Sequence, residues 1–186
     1  MKAYPYILLA FGTALWVTPF FFTRNKRRVP VRIEKRARRG VLLQCLGYSI
    51  LWQSHFWEKP PEDWRTIVAL CFFVLACLLS WTAVQSLGRQ FRFDAAIDSA
   101  HMLVRGGPYR VIRHPIYTSM FCVLLATGTV VSPLPLLLAS IAVFSAGTFI
   151  RMRIEDRLLE AQFGAEFLQY RQRVPGFLPF IKIPVR

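Results

Sequence analysis

The sequence predicts an all-α, polytopic membrane protein with five transmembrane helices and a cytoplasmic C-terminal amphipathic helix. Three observations carry this expectation. Of the 186 residues, 54% are hydrophobic, more than a soluble domain of this length usually holds. The apolar residues are gathered into blocks: 3–23, 40–57, 66–88 and 114–150 contain no Asp, Glu, Lys or Arg. The net charge of +14 falls almost entirely between those blocks.

Each of the first three blocks approaches the roughly 20 residues needed to cross a bilayer. They are read as spans at about 4–23, 40–57 and 66–86. A cleaved signal peptide is a poorer reading of the first, because only Lys2 precedes it and "FFFTRNKRR" offers no small-residue cleavage site. The fourth block is long enough for two spans, about 115–132 and 135–151, with "SPLP" (132–135) as the turn. Pro133 and Pro135 there oppose one continuous helix. His114, preceding Pro115, is biased toward extended backbone, whereas Pro115 suits a helix's first turn, so span four is expected to start at Pro115. Beyond span five, apolar residues recur at 159, 163, 167, 170 and 174, the spacing of an amphipathic helix. Its charged residues are expected to point away from that stripe, and Pro175–Gly176 to end it. Such a helix would continue from span five and bend along the membrane surface. No repeat or linker divides the chain, which reads as a single membrane-embedded domain over 1–186.

Charge sets the expected orientation. Segment 24–39 holds nine basic residues and one acid, 89–113 five and two, and 151–186 seven and four, whereas 58–65 holds two bases and three acids. The positive-inside rule then places the N-terminus and the loops near 60 and 133 outside, and the basic segments in the cytoplasm. Beside a membrane span, anionic lipid explains the basic run more simply than nucleic acid, and no nucleic-acid partner is expected. Cys45, Cys71, Cys77 and Cys122 lie inside apolar blocks without metal-ligand spacing, so they read as packing residues, with neither metal nor disulfide. Trp57 and Trp64 flank the outer loop, as interfacial aromatics do.

One polar, stiff stretch stands at the door of span four: "GGPYRVIRHPIY" (106–117). A helix N-terminus there favours an anionic group. Gly106 and Gly107 allow close backbone approach, Tyr109 and Tyr117 offer faces that stack and attract cations, and His114 donates or accepts. These residues suit a pocket for a small zwitterionic or nucleotide-like molecule. They suit equally a loop that only turns the chain back into the membrane, with Arg113 as an orientation signal. Arg151 and Glu155, four apart, share a helix face at the end of span five. They form either a surface ion pair with a snorkelling arginine or, if 101–117 folds over the same end, a pair of ligand groups.

The two regions together resemble a known family. "HMLVRGGPYRVIRHPIY" (101–117), a hydrophobic hairpin, then "RMRIEDRLLEAQFGAEFLQYRQRVPGFLPF" (151–180) is similar to the isoprenylcysteine carboxyl methyltransferases, integral membrane enzymes that use S-adenosylmethionine. The likeness covers roughly the C-terminal half; the first three spans match only in hydrophobicity and topology. It implies cofactor contacts from His101, Met102, Leu103, Val104, Tyr109, His114, Pro115, Ile116, Tyr117 and Glu155. Arg151 would hold the substrate's carboxylate, making Arg151 and Glu155 the catalytic pair. The chain departs from the family pattern at Asp94 (usually an amide), Ser119 (often Gly), Asp156 (a second Glu) and Phe167 (a Tyr).

The implied function is methyl transfer to the carboxylate of a prenylcysteine or similar lipid-like acceptor. The active site would face the cytoplasm, on the inner membrane of a prokaryote or the endoplasmic reticulum of a eukaryote. Membrane sterol reductases, which bind NADPH, have a similar C-terminal architecture and form the main alternative. Methylation of a thiol or amine, or a non-catalytic scaffold, are the others.

Overall fold

Each apolar block of the sequence contributes helix among its described residues. A computed structural model describes residues 3–22, 32–33, 37–55, 61–88, 91, 96–97 and 102–179. The helices are α1 (Tyr4–Phe22), α2 (Ala37–Leu51), α3 (Asp63–Leu87), α4 (Pro115–Val131), α5 (Leu134–Phe163) and α6 (Ala165–Arg173), with a 3-10 turn at Gly107–Arg110. One minimal ribbon joins β1 (Arg32–Ile33) to β2 (Ala96–Ile97) antiparallel, Arg32 opposite Ile97 and Ile33 opposite Ala96.

Against the five expected spans, three helices among the described residues have full crossing length and apolarity: α1, α3 and α5. At 17 residues α4 is apolar but shorter, and α2, with 15, extends only about 22 Å against a hydrocarbon core of about 30 Å. The expected 40–57 span ends early as helix because the chain turns at Trp52–Ser54; residues 56–60 lie outside the described ones. Pro115 does open α4, and Pro133 caps α5, so both proline expectations hold. Past 151, the expected end of the fifth span, the helix continues: α5 runs on to Phe163, and the break falls at Gly164, inside the apolar stripe 159–174 that was read as one helix.

Small residues set how the helices meet. Among the described residues, a Cβ on Gly12 would fall 2.7 Å from the Phe73 ring and one on Gly47 would fall 2.9 Å from Phe144 Cβ, so α1 approaches α3, and α2 approaches α5, almost backbone to side chain. Polar side chains then bond across these contacts, as in membrane bundles generally. Gln44 donates to Thr148 Oγ1 at 2.9 Å, Ser140 to the Gly47 carbonyl at 2.7 Å, and Trp81 to the Leu15 carbonyl at 3.2 Å. The Tyr48 hydroxyl reaches the Met120 carbonyl at 2.6 Å, and Ser132 that of Leu51 at 2.6 Å, joining α2 to α4. Leu51, Phe73, Leu124 and Phe144 fill the centre. Outward, Ile7, Phe11, Leu42, Ile67 and Leu78 are exposed. Apolar residues on all sides of a helix are what a lipid-facing bundle requires.

Gly164 sits at φ +52°, ψ −125°, a region that L side chains avoid, yet a Cβ there would meet nothing within 4 Å. The bend between α5 and α6 therefore depends on backbone freedom and not on space. Gly164→Ala is expected to lower unfolding stability in detergent by about 1–3 kcal/mol despite the open surroundings. A melt identical to that of the parent protein would refute this account of the bend.

Candidate functional site

Three pieces of chain meet where α4 begins. The start of α4 follows the 3-10 turn, α5 passes with Arg151, Glu155 and Asp156, and the stretch after α6 folds back across both. Backbone bonds fasten the third piece: Arg113 N–H donates to the Pro175 carbonyl at 2.9 Å and His114 N–H to that of Gly176 at 3.0 Å. Thr118 Oγ1 donates to the Phe177 carbonyl, and the Tyr170 hydroxyl to that of Tyr109 at 2.6 Å. Phe177 is thereby packed with Tyr117 and Met152.

Beneath this cover lie two consecutive acids facing two consecutive bases. Asp156 is 2% exposed. Its Oδ2 accepts from Arg113 Nη2 at 2.8 Å, and its Oδ1 lies 2.9 Å from His114 Nε2. Arg113 uses Nη1 to donate to the carbonyls of Arg171 (3.1 Å) and Val174 (2.7 Å), pinning the C-terminal segment. His114 Nδ1 lies 3.5 Å from Glu155 Oε2. Both ring nitrogens thus face carboxylates, an arrangement made for the imidazolium, whose nitrogens both donate. Burial alone pushes the His114 pKa down, but the hydrogen bonds and charges of Asp156 and Glu155 outweigh it and raise it to about 9.

Glu155 faces the other way. Its side chain keeps 26% exposure, against 3% for that of Asp156. The Tyr117 hydroxyl donates to Glu155 Oε1, and Arg151 Nη2 stands 3.7 Å from the same oxygen. The Arg151 guanidinium lies over the Tyr117 ring, 5.2 Å from its centroid. Burial and the Glu155 charge both raise the Tyr109 phenol above its usual pKa.

The structure therefore brings together His114, Tyr117, Arg151 and Glu155 of the expected site residues, with Tyr109 behind them and Pro115 buried at the start of α4. Leu103 and Val104 are half-buried, in a stretch held to α6 by the Arg105–Glu166 ion pair at 2.5 Å. Met102 is 70% exposed, and Ile116 is turned to the far side, against Phe20, Val84 and Phe91. His101 and Asp94 lie outside the described residues.

Three expectations change. Arg113 is no mere orientation signal, being buried with three hydrogen bonds from its guanidinium. The charged residues of 151–180 do not all point outward, because Asp156 turns in to meet Arg113 and His114. Gly107 serves the chain's own packing: at φ +57° its missing Cβ leaves room for Ser86 Oγ, 2.4 Å from where that atom would stand. Asp156 and Arg113 were missed as a pair because they are 43 residues apart; the one local signal was the adjacency of two bases at 113–114 and two acids at 155–156.

His114 links this network to pH. Its folded pKa of about 9 lies above the unfolded value of 6.5. The stabilisation is therefore complete below pH 6.5 and is lost as pH rises through 9, a change of about 3 kcal/mol over that window. Unfolding of the wild-type protein between pH 6 and about 10 should show this alkaline loss, and His114→Gln should flatten it. An equal slope in both proteins would remove His114 as the cause.

Comparisons with known proteins agree with this picture. The family model described as phospholipid methyltransferase matches residues 64–166, more than half of the chain. The chain is similar to protein-S-isoprenylcysteine O-methyltransferase B of Arabidopsis thaliana, 29% identical over 80% of this chain and 76% of the relative. It is 31% identical to the Saccharomyces cerevisiae protein-S-isoprenylcysteine O-methyltransferase over 75% of this chain and 60% of that protein. To the Homo sapiens protein of the same name it is 30% identical, over 70% of this chain. The chain spans about half the length of that animal relative, 47%. These matches reach beyond the C-terminal half to which the motif likeness was limited, taking in α3 and part of what precedes it. With both motifs, their juxtaposition and these matches in hand, the chain belongs to the phospholipid methyltransferase family, in the company of the isoprenylcysteine carboxyl methyltransferases.

Proposed function

We propose that the protein is an integral membrane, S-adenosylmethionine-dependent carboxyl O-methyltransferase that acts on a prenylcysteine or similar lipid-like carboxylate. In this reading α1 to α5 all cross the bilayer, the arginine-rich end faces the cytoplasm and α6 lies along the inner surface. The exposed apolar side chains around the bundle and the charge asymmetry of its loops support it. Membership of a methyltransferase family displaces the sterol-reductase alternative.

The observation that carries the proposal is the meeting of Tyr117, Arg151 and Glu155 at one partly open spot beside His114. The chemistry of this donor set fits the cofactor. A half-buried carboxylate flanked by an aromatic face suits a cation, and a guanidinium suits a carboxylate. Glu155, Tyr117 and Tyr109 would hold the cofactor's cationic parts, with His114 fixing the direction of Glu155. S-adenosylmethionine, when bound, supplies an activated methyl group on a sulfonium. The residues of the chain need not supply a general base, because a carboxylate acceptor is already ionised near pH 7. Their work is to orient the acceptor oxygen and to exclude water. Arg151 would hold the acceptor through its fork of donors, and the neutral ester product would lose that charge-assisted bond and leave.

The names of the relatives point to prenylated cysteine as acceptor. The test is to incubate purified protein with methyl-labelled S-adenosylmethionine and N-acetyl-S-farnesylcysteine. Label released by base as methanol is the expected result; base-stable label would favour a thiol or amine acceptor. Arg151→Ala should raise the KM for this acceptor about tenfold or more while leaving cofactor affinity within about twofold. In thermal melts S-adenosylmethionine should stabilise the protein and NADPH should not; the reverse would restore the reductase reading.

A further inference from the structure

We infer that Gly40, on α2, is a positioning residue for Arg151: its missing side chain forms the slot in which the Arg151 stem lies. The inference rests on the assignment of Arg151 to the acceptor carboxylate and extends the site to the first half of the chain, where no motif had pointed.

The geometry is specific. Gly40 is buried where α2 begins, facing α5. A Cβ built on it would stand 2.5 Å from Arg151 Cγ and 3.4 Å from its Cδ. The first distance is far inside van der Waals contact. Cγ is also the worst atom to displace. The far end of an arginine can swing aside through its later torsions, but once the helix backbone is set, Cγ moves only by rotation about χ1. A helix allows two χ1 wells to a long side chain, because the third drives it into the preceding turn. Evicting Cγ therefore shifts the whole side chain to the other well and carries the guanidinium away from Tyr117 and Glu155, over which it now lies.

Gly40 also meets the α5 backbone, since its added Cβ would stand 2.7 Å from the Gly147 carbonyl oxygen. That contact would push the two helices apart whatever residue 151 is. Gly147 separates the two effects. A Cβ on Gly147 would meet the Gly40 carbonyl oxygen at 2.6 Å, Leu43 Cβ at 2.8 Å and Gln44 N at 3.0 Å, with no Arg151 atom among its nearest neighbours. Gly147→Ala is thus the control for helix separation alone.

The decisive experiment is a double-mutant cycle of Gly40→Ala and Arg151→Ala, with Gly147→Ala beside it. Two readouts are taken in detergent: acceptor KM with N-acetyl-S-farnesylcysteine, and Tm with neither substrate present. Gly40→Ala is expected to raise the acceptor KM about tenfold when Arg151 is present and less than about twofold when residue 151 is alanine. Gly147→Ala should lower Tm without this selective loss. Relief of the clash gives a second signature: the double variant should melt above Gly40→Ala alone. If Gly40→Ala does not fold, recovery of a folded double variant supports the slot, and failure of both overturns it. Equal KM penalties in the two Arg151 backgrounds, or none in either, also overturn it. A normal KM in Arg151→Ala itself is a separate failure, which sinks the carboxylate assignment on which the inference rests.

Discussion

A carboxylate shut away from water has to be neutralised where it stands, and Asp156 is met by two consecutive residues of another helix's entry, Arg113 and His114. The rest of the polar end follows from that constraint. Arg113 has donors left over, and they go to the carbonyls of Arg171 and Val174, fastening the chain that follows α6. His114 has its second ring nitrogen left over, and it faces Glu155. Removing one partner from such a buried pair leaves an uncompensated charge, which typically costs about 3–5 kcal/mol. The contact is therefore a fastening shared by α4, α5 and the C-terminal segment, beside the backbone bonds from Arg113 and His114 that also hold that segment.

This arrangement divides labour between neighbouring acids. Successive residues on a helix point about 100° apart, so Asp156 and Glu155 cannot share one environment. Asp156 faces inward and is consumed by structural bonds, while Glu155 remains half-open beside Tyr117 and Arg151. Asp156 reaches both bases at ordinary hydrogen-bond distance. Ser119 is absorbed in a similar way. It is fully buried and accepts the Trp16 indole N–H at 3.1 Å, tying α1 to the start of α4.

Within the apolar body the helices are drawn together without help from the hydrophobic effect, since lipid is as apolar as leucine. Close approach at Gly12, Gly40, Gly47 and Gly147, together with bonds such as Gln44 to Thr148, performs that task. The same close approach between α2 and α5 gives the arginine at the end of α5 its room. Packing in the membrane and placement of the candidate site are thus coupled through the same small residues.

Much of this was legible in the sequence because it rests on local rules. Charge-free blocks and prolines at helix starts need no partner to be recognised, and α1, α3, α4 and the turn at 132–135 follow from them. The grouping of His114, Tyr117, Arg151 and Glu155 was implied only by the family resemblance, since the residues alone left a turning loop and a surface ion pair equally open. Other features were decided elsewhere. The bend after span five was expected but not its place: it fell at Gly164, within the apolar stripe read as one helix, where the backbone takes a positive φ. Which of two adjacent acids would be buried, whether Arg113 faced solvent or Asp156, and which glycine of α2 would abut Arg151 were decided by tertiary structure alone. Each depends on a partner tens of residues away, and a charge has no fixed meaning until the chain places its counter-charge.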